Sequence, residues 1–103
     1  MIENLQQIES VVLMGGACVN IRNKTVYCEN QEIFLSKKEY SLLELLIVNR
    51  MSIMPKEIIE EYLWQGIAIS PSSVKTLVNK LRDKIGKDAI ITVKNIGYRI
   101  NLK

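Results

Sequence analysis

The first third of the chain alternates short β-prone runs with polar residue pairs. The runs lie at residues 17–21, 25–29 and 32–35. Asn23-Lys24 and Asn30-Gln31 separate them, and Asn is one of the residues that tight turns favour. Runs of this length joined by short turns predict a small antiparallel meander of three strands.

From Ser36 onward, apolar residues recur at helical spacing. Ser36 and Glu39 form a capping-box sequence, in which each side chain accepts a hydrogen bond from the other residue's backbone amide. Pro55 suits the first turn of a second helix, where its missing amide hydrogen is harmless. Gly66 and Gly86 are good stops for the second and third helices. The pattern predicts helices over residues 36–49, 55–64 and 72–85.

The third of these helices is strongly amphipathic. The serines of segment 70–73 supply caps at its start. At helical spacing its apolar residues share one face, made of Val74, Leu77, Val78, Leu81 and Ile85. The polar residues opposite and at the flanks are Ser72, Thr76, Asn79, Asp83, Lys75 and Lys80.

Strand-like residues return after this helix, on either side of segment 94–97. Asn95 and Gly97 are both available for the positive φ that a hairpin turn requires. The sequence therefore predicts a terminal hairpin over about residues 90–102, with Lys94 near its tip and Arg99 on an exposed side.

The composition fits one α+β domain. The chain has 103 residues, of which 48% are hydrophobic and 24% charged, enough for a single packed core. Residues 1–10 are polar and acidic, so we expect a linker or disordered leader there and the domain over residues 11–103. No signal-peptide pattern and no apolar stretch near the roughly 20 residues of a membrane span are present, so we expect a cytoplasmic protein without membrane contact.

Positive charge is concentrated at the C-terminal end. The last 32 residues contain eight Lys or Arg and two Asp, a net +6, whereas the preceding 71 sum to −3. This favours double-stranded DNA as the partner of the third helix, because Asn pairs with adenine, Lys reaches guanine acceptors and Thr contacts base edges in a major groove. A merely solvated helix surface is the alternative. Asp83 is repelled by phosphates, so we expect the N-terminal half of the helix to make the contacts.

The residue types of enzyme and metal sites are scarce. The chain has no His, scattered carboxylates and no phosphate-binding Gly loop, so we expect no enzymatic activity, cofactor or metal. Cys18 and Cys28 are expected to be buried thiols, with a disulfide between neighbouring strands or redox sensing as alternatives.

Four segments carry a resemblance to a known family. They are Leu35-Ser36-Lys37-Lys38-Glu39, Ile59 with Trp64, Val74 through Val78-Asn79-Lys80-Leu81-Arg82-Asp83-Lys84-Ile85-Gly86, and Thr92-Val93-Lys94-Asn95-Ile96-Gly97-Tyr98-Arg99. Over residues 12–103 the chain resembles the OmpR/PhoB winged-helix effector domain of bacterial two-component response regulators. The resemblance implies a four-stranded N-terminal sheet whose first strand includes residues 11–14, a three-helix bundle and a C-terminal wing.

The resemblance also implies roles for individual residues. The third helix becomes a recognition helix for the major groove, with candidate contacts Ser72, Ser73, Lys75, Thr76, Asn79 and Lys80. The wing is expected to meet the DNA backbone or minor groove through Lys94, Asn95 and Arg99. Trp64 closes the second helix, where its ring fills the core and its indole N–H reaches a phosphate. The loop by which the family contacts RNA polymerase corresponds to Gln65, Gly66, Ile67, Ala68 and Ile69.

Three positions depart from the family pattern. Ser72 stands where Arg is common, Asp83 where a basic residue is common and Asn95 where the wing often has Gly. The first change lowers the expected affinity, whereas Asn enters the left-handed region readily. The polymerase loop has no charge here, which weakens electrostatic steering to that partner.

The resemblance places the domain in a larger regulatory protein. Because no receiver domain is present in the sequence, we expect a fragment that is monomeric in isolation. Phosphorylation elsewhere is then expected to pair two copies on direct-repeat DNA. The alternatives are a free-standing winged-helix protein and an interaction module that grips a protein through Ile67-Ala68-Ile69.

Overall fold

The computed structural model describes residues 10–103, so the expected leader lies outside the described residues except for Ser10. The strands and helices are β1 (Ser10–Val12), β2 (Cys18–Asn20), β3 (Thr25–Cys28), β4 (Gln31–Ile33), α1 (Lys37–Val48), β5 (Met54–Pro55), α2 (Lys56–Trp64), α3 (Ser73–Ile85), β6 (Ile90–Val93) and β7 (Gly97–Ile100). A short 3₁₀ helix, Lys87–Ala89, precedes β6. This order confirms the predicted α+β winged-helix architecture.

The N-terminal sheet has the order β1-β2-β3-β4, and its neighbours are antiparallel. The register places four apolar side chains in one row across the sheet, on the face that packs against the core: Val11, Val19, Val26 and Ile33. Strand β1 spans Ser10–Val12 rather than residues 11–14. Leu13 instead forms an isolated antiparallel bridge with Leu102, so the end of the chain closes over the start of the domain.

The turn before β4 lies one residue earlier than predicted. Cys28 pairs with Gln31, which leaves Glu29 and Asn30 as the two turn residues, at φ 53° and 67°. A two-residue hairpin loop of the favoured type needs positive φ at both positions. Glu29 accepts this conformation because a shift of one residue would turn every inward side chain of β4 to solvent.

Helix α1 begins as predicted. The Ser36 hydroxyl accepts a hydrogen bond from the Glu39 amide at 3.1 Å, and Glu39 Oε1 accepts one from the Ser36 amide at 2.8 Å. The aliphatic residues buried along the helix are Leu42, Leu43, Leu46 and Ile47. Val48 is 64% exposed, so the helix is not covered on all sides at its C-terminal end.

Helices α2 and α3 form a helix-turn-helix. The chain leaves α2 through two left-handed residues, Gln65 at φ 50° and Gly66 at φ 84°. Helix α3 ends at Gly86, at φ 113°, as predicted. The predicted serine cap of α3 is wrong, because Ser72 has φ −96° and ψ 4° instead of an extended backbone and makes no side-chain cap bond. The Ser70 hydroxyl contacts those of Ser72 and Ser73 instead, at 3.3 and 3.2 Å.

The second sheet has the order β5-β7-β6 and carries the terminal hairpin. Pro55 precedes α2, lies in β5 and pairs with Gly97 of β7, rather than occupying the first helical turn. Asn95 has the predicted positive φ, at 66°, but Gly97 does not. Gly97 is required for another reason: a Cβ atom there would collide with the carbonyl oxygen of Met54.

One hydrophobic core joins both sheets and the three helices. It includes Val19 and Val26 of the N-terminal sheet, Leu42 of α1, Ile59 of α2 and Leu81 of α3. Within residues 10–103, no helix is long and apolar enough to cross a lipid bilayer.

The two cysteines differ from the expectation of burial. Both thiols are free, Cys18 is exposed and Cys28 is half-buried. Cys18 pairs with Tyr27, so Cys28, the next residue along β3, lies on the opposite face of the sheet. The register therefore excludes a disulfide between the two cysteines.

Candidate nucleic-acid interface

Helix α3 presents one polar face to solvent. Its predicted apolar stripe is buried along its whole length: Val74, Leu77, Val78, Leu81 and Ile85. Lys75, Thr76, Asn79 and Lys80 are exposed, and they are called the polar face below. Because the buried stripe fixes the rotation of the helix, these four side chains are held on one side of the protein.

The residues that border the polar face differ in exposure. At the start of α3, Ser72 is exposed and Ser73 half-buried. Asp83 is exposed in the last turns of the helix. Its carboxylate therefore lies at the C-terminal end of the polar face, as the sequence predicts, and the cations lie toward the N-terminal end.

The wing consists of β6, β7 and the loop of residues 94–96. Lys94 and Asn95 are exposed in this loop, which is closed by a hydrogen bond from the Ile96 amide to the Val93 carbonyl at 2.9 Å. Arg99 is half-buried. It pairs with Ile91, so its side chain lies on the face of the hairpin opposite to that of Thr92. The wing therefore presents Lys94 at its tip and Arg99 on its side.

Arg82 fastens the wing to α3. Its Nη2 atom donates to the Ile90 carbonyl at 2.7 Å and to the Thr92 hydroxyl at 2.8 Å, and its Nε donates to the Ile90 carbonyl at 3.2 Å. A guanidinium that makes three such bonds is held in one orientation. This cation therefore attaches the wing to α3.

A second basic residue of α3 is also used internally. Lys84 Nζ lies 2.8 Å from Glu39 Oε1 and donates to the Phe34 carbonyl at 3.3 Å. This contact joins the end of α3 to the start of α1. Burial alone would raise the pKa of Glu39, but the hydrogen bonds from Lys84 and the Ser36 amide outweigh it and hold that pKa below its usual value.

Carboxylates of the described residues do not neutralise the cations of the polar face and the wing tip. Within residues 10–103, Lys75, Lys80 and Lys94 form no ion pair with a carboxylate. The internal use of Arg82 and Lys84 thus separates the basic residues of this region into two groups. One group holds the fold, and the other faces solvent where an anionic partner can reach it.

Trp64 lies between the core and this basic surface. Its side chain is half-buried and packs against the core, as the resemblance implies. The ring centroid lies 5.4 Å from the Nζ atom of Lys38, which belongs to the first turn of α1. Both residues line an open cleft of about 360 Å³ together with Ser70, Ser73, Thr76 and Lys80.

The loop between α2 and α3 is largely exposed. Gln65, Gly66, Ile67 and Ala68 are exposed, and Ile69 is half-buried. The loop borders a groove on α2 whose lining includes Glu57, Glu60 and Glu61. The loop itself is uncharged, as the sequence shows, but the fold places three carboxylates and Lys56 of the neighbouring helix beside it, and Lys56 pairs with Glu60 at 3.8 Å.

The sequence did not predict the roles of three basic side chains. Arg82, Lys84 and Lys38 are all basic, but their different roles depend on contacts 8 to 45 residues apart, which no local pattern reveals. Among residues 10–103, no group of three or more His, Cys, Asp or Glu side chains is arranged to hold a metal ion.

Residues 30–100 match the family described as "Transcriptional regulatory protein, C terminal". The chain belongs to this family. The swarming motility regulation protein RssB of Serratia marcescens is 36% identical over 86 residues, which are 82% of this chain and 39% of that protein. The chain spans about two fifths of the length of the curated relatives it matches, between 39 and 43% for three of them.

Solved structures of the family have the same fold. The DNA-binding domain of Bacillus subtilis CssR superposes with a TM-score of 0.72 at 30% identity, over 82% of this chain and 99% of that one. Thermotoga maritima DrrB, described as an OmpR/PhoB homolog, superposes with a TM-score of 0.75 at 27% identity, over 82% of this chain and 41% of that one. The resemblance to OmpR/PhoB effector domains is thereby confirmed.

Proposed function

We propose that this chain is the DNA-binding output domain of a bacterial response regulator that controls transcription. The observation that carries the proposal is the polar face: four exposed side chains, two of them unneutralised lysines, on a helix whose other side is anchored in the core. The description of the CssR relative as a DNA-binding domain supports it. The proposed domain covers residues 11–103, with residues 1–10 as a linker or leader.

In this proposal α3 enters the major groove and the wing follows the DNA backbone or the minor groove. Asn79 is suited to a bidentate contact with adenine, and Thr76 to a base edge or a thymine methyl group. Lys75 and Lys80 reach guanine acceptors or phosphates, and Ser72 and Ser73 reach phosphates from the start of the helix. Lys94, Asn95 and Arg99 form the wing contacts. Because Asp83 repels phosphates, the C-terminal half of α3 stays farther from the duplex.

The whole protein is expected to regulate this binding. The relatives are more than twice as long as this chain, which leaves room in them for further domains. A phosphorylated partner domain that pairs two copies on direct repeats would raise affinity by linkage, with no new contact to DNA. In isolation the domain is then a monomer. The protein is located in the cytoplasm, where the chromosome lies.

RNA polymerase is the proposed protein partner of the loop of residues 65–69. The loop supplies exposed apolar surface through Ile67, which is 69% exposed. Glu57, Glu60 and Glu61 add negative charge beside it, part of which Lys56 offsets through its ion pair with Glu60 at 3.8 Å. The combined surface suits a partner with basic and apolar side chains.

A protein-interaction module without DNA binding is the competing function, and salt dependence separates the two. Binding of the chain to fluorescent duplex DNA should weaken linearly with log salt concentration, in proportion to the number of phosphates neutralised. A chain that binds no duplex at low salt, or binds with no salt dependence, contradicts the proposed function.

A further inference from the structure

The cleft beside Trp64 lies where three helices meet. Lys38 comes from α1, Trp64 ends α2, and Thr76 and Lys80 belong to the polar face of α3. Ser70 and Ser73 complete the polar lining. The cleft therefore joins the proposed recognition helix to a helix outside the helix-turn-helix.

The chemistry of this lining is that of an anion site. Two ammonium groups, three hydroxyl groups and the Trp64 indole N–H all carry hydrogen-bond donors, and no carboxylate lines the cleft. A tetrahedral anion with several acceptor oxygens matches several donors that converge from different directions. The Ser70 and Ser73 hydroxyls already contact each other at 3.2 Å, so the two ammonium groups supply most of the free donors.

Lys38 is held at the cleft without being neutralised. Its ammonium group lies 5.4 Å from the centroid of the Trp64 ring, a distance at which the ring attracts a cation. In the described part of the chain Lys38 and Lys80 form no ion pair. The two charges on either side of the cleft thus remain available to an external anion.

We propose that Lys38 binds a backbone phosphate of the same duplex that α3 reads, and so extends the DNA contact to α1. The inference rests on the proposed function. Thr76 and Lys80 lie both on the polar face and in the cleft, so DNA placed against that face brings the phosphates beside the groove to the cleft. A phosphodiester there lies between Lys38 and Lys80, with the Ser70 and Ser73 hydroxyls beside it.

Lys37 provides a matched control. It is the neighbouring residue in α1, carries the same charge and is exposed. It lines the adjoining groove with Trp64 and Glu61, but not the cleft that Lys80 lines. Lys38→Gln and Lys37→Gln therefore change the net charge and the first turn of α1 equally. Any difference between the two variants in DNA binding reports the position of Lys38 rather than the charge of the domain.

The first measurement is duplex affinity as a function of salt concentration. Lys38→Gln should weaken binding to every duplex alike, by about two- to fivefold at low salt. It should also reduce the slope of log affinity against log salt by about 1, whereas Lys37→Gln leaves that slope closer to the parent value. Equal slopes for the two variants overturn the inference.

The second measurement locates the phosphate. Neutral methylphosphonate groups replace single phosphates along a duplex that the parent protein binds. At one position beside the major-groove site, the replacement should weaken binding of the parent chain and of Lys37→Gln but not weaken Lys38→Gln further. Losses that are the same for all three proteins at every position overturn the inference. A parent chain that binds no duplex overturns the proposed function itself, so the two failures are distinguishable.

Discussion

Glu39 is a charged residue in the interior, only 5% exposed, and its surroundings explain why it stays ionised. It caps α1 through the Ser36 amide and pairs with Lys84 of α3 at 2.8 Å. The capping interaction could be predicted from the sequence, because Ser36 and Glu39 are three residues apart. The ion pair could not be predicted, since Lys84 lies 45 residues away along the chain.

We predict that Glu39→Gln destabilises the fold by about 1 to 3 kcal/mol at neutral pH, because it removes the charge from both hydrogen bonds. The folded pKa of Glu39 is lowered, so its contribution is fully present above the unfolded pKa and is lost as pH falls through the folded pKa. In thermal unfolding, the difference between the parent and the variant should be constant above about pH 5 and shrink below about pH 4.

Glu44→Gln is the control for this experiment. Glu44 pairs with Lys24 at 3.5 Å, and the Lys24 side chain is 63% exposed. An ion pair of this kind contributes little to stability. A Glu39→Gln variant as stable as Glu44→Gln at every pH would show that the internal pair does not support the fold.

Asn79 is the residue on which base recognition is expected to depend most. We predict that Asn79→Ala lowers the preference for one base pair by about 1 to 3 kcal/mol, whereas Lys94→Ala weakens all duplexes alike. Competition binding with single-base variants of a bound site measures the preference. Equal losses on every sequence for Asn79→Ala would assign that side chain to the backbone or to solvent.

At the scale of elements, the sequence predicted what short-range patterns determine. The helices α1, α2 and α3 appear within a few residues of their predicted bounds, because their apolar stripes and end signals are local. Strand β1 came only from the family resemblance. The attachment of the wing by Arg82 was not predicted, because it depends on the tertiary contact with Ile90 and Thr92.

Gly97 illustrates how a correct residue can be given an incorrect reason. The sequence indicated a glycine that frees the turn, whereas the structure places it in β7 against the backbone of β5. Turn residues and closely packed strand residues both favour glycine, so composition alone does not separate them.

We predict that Gly97→Ala destabilises the domain by about 1 to 3 kcal/mol. The added methyl group collides with backbone atoms of Met54 and Pro55, which cannot move away as a flexible side chain could. Asn95→Gly, in the same hairpin and already at φ 66°, should stay within about 0.5 kcal/mol of the parent. Chemical denaturation of both variants tests this, and a Gly97→Ala domain as stable as Asn95→Gly would contradict the close approach of β5 and β7.

At the scale of the whole molecule, the fold sorts the charges by position. Among residues 10–103, the lysines without an ion pair include those of the polar face, the wing tip and the cleft beside Trp64, whereas three glutamates and Lys56 lie along α2 beside the loop of residues 65–69. The net charge of +3 is too small to produce tight binding by itself. What favours a duplex is the grouping of Lys75 and Lys80 on the polar face with Lys38 at the adjoining cleft, whereas the glutamates of α2 line a different groove.

The most direct test of this account is selection of bound sites from random duplex DNA by the purified chain at low salt. If the polar face of α3 reads a major groove, the sequences selected by the parent chain should share a short motif. The Asn79→Ala chain should select the same motif without a base preference at one position. Recovery of no common sequence, or no retention of DNA at all, would contradict the central claim that this face is a DNA-reading surface.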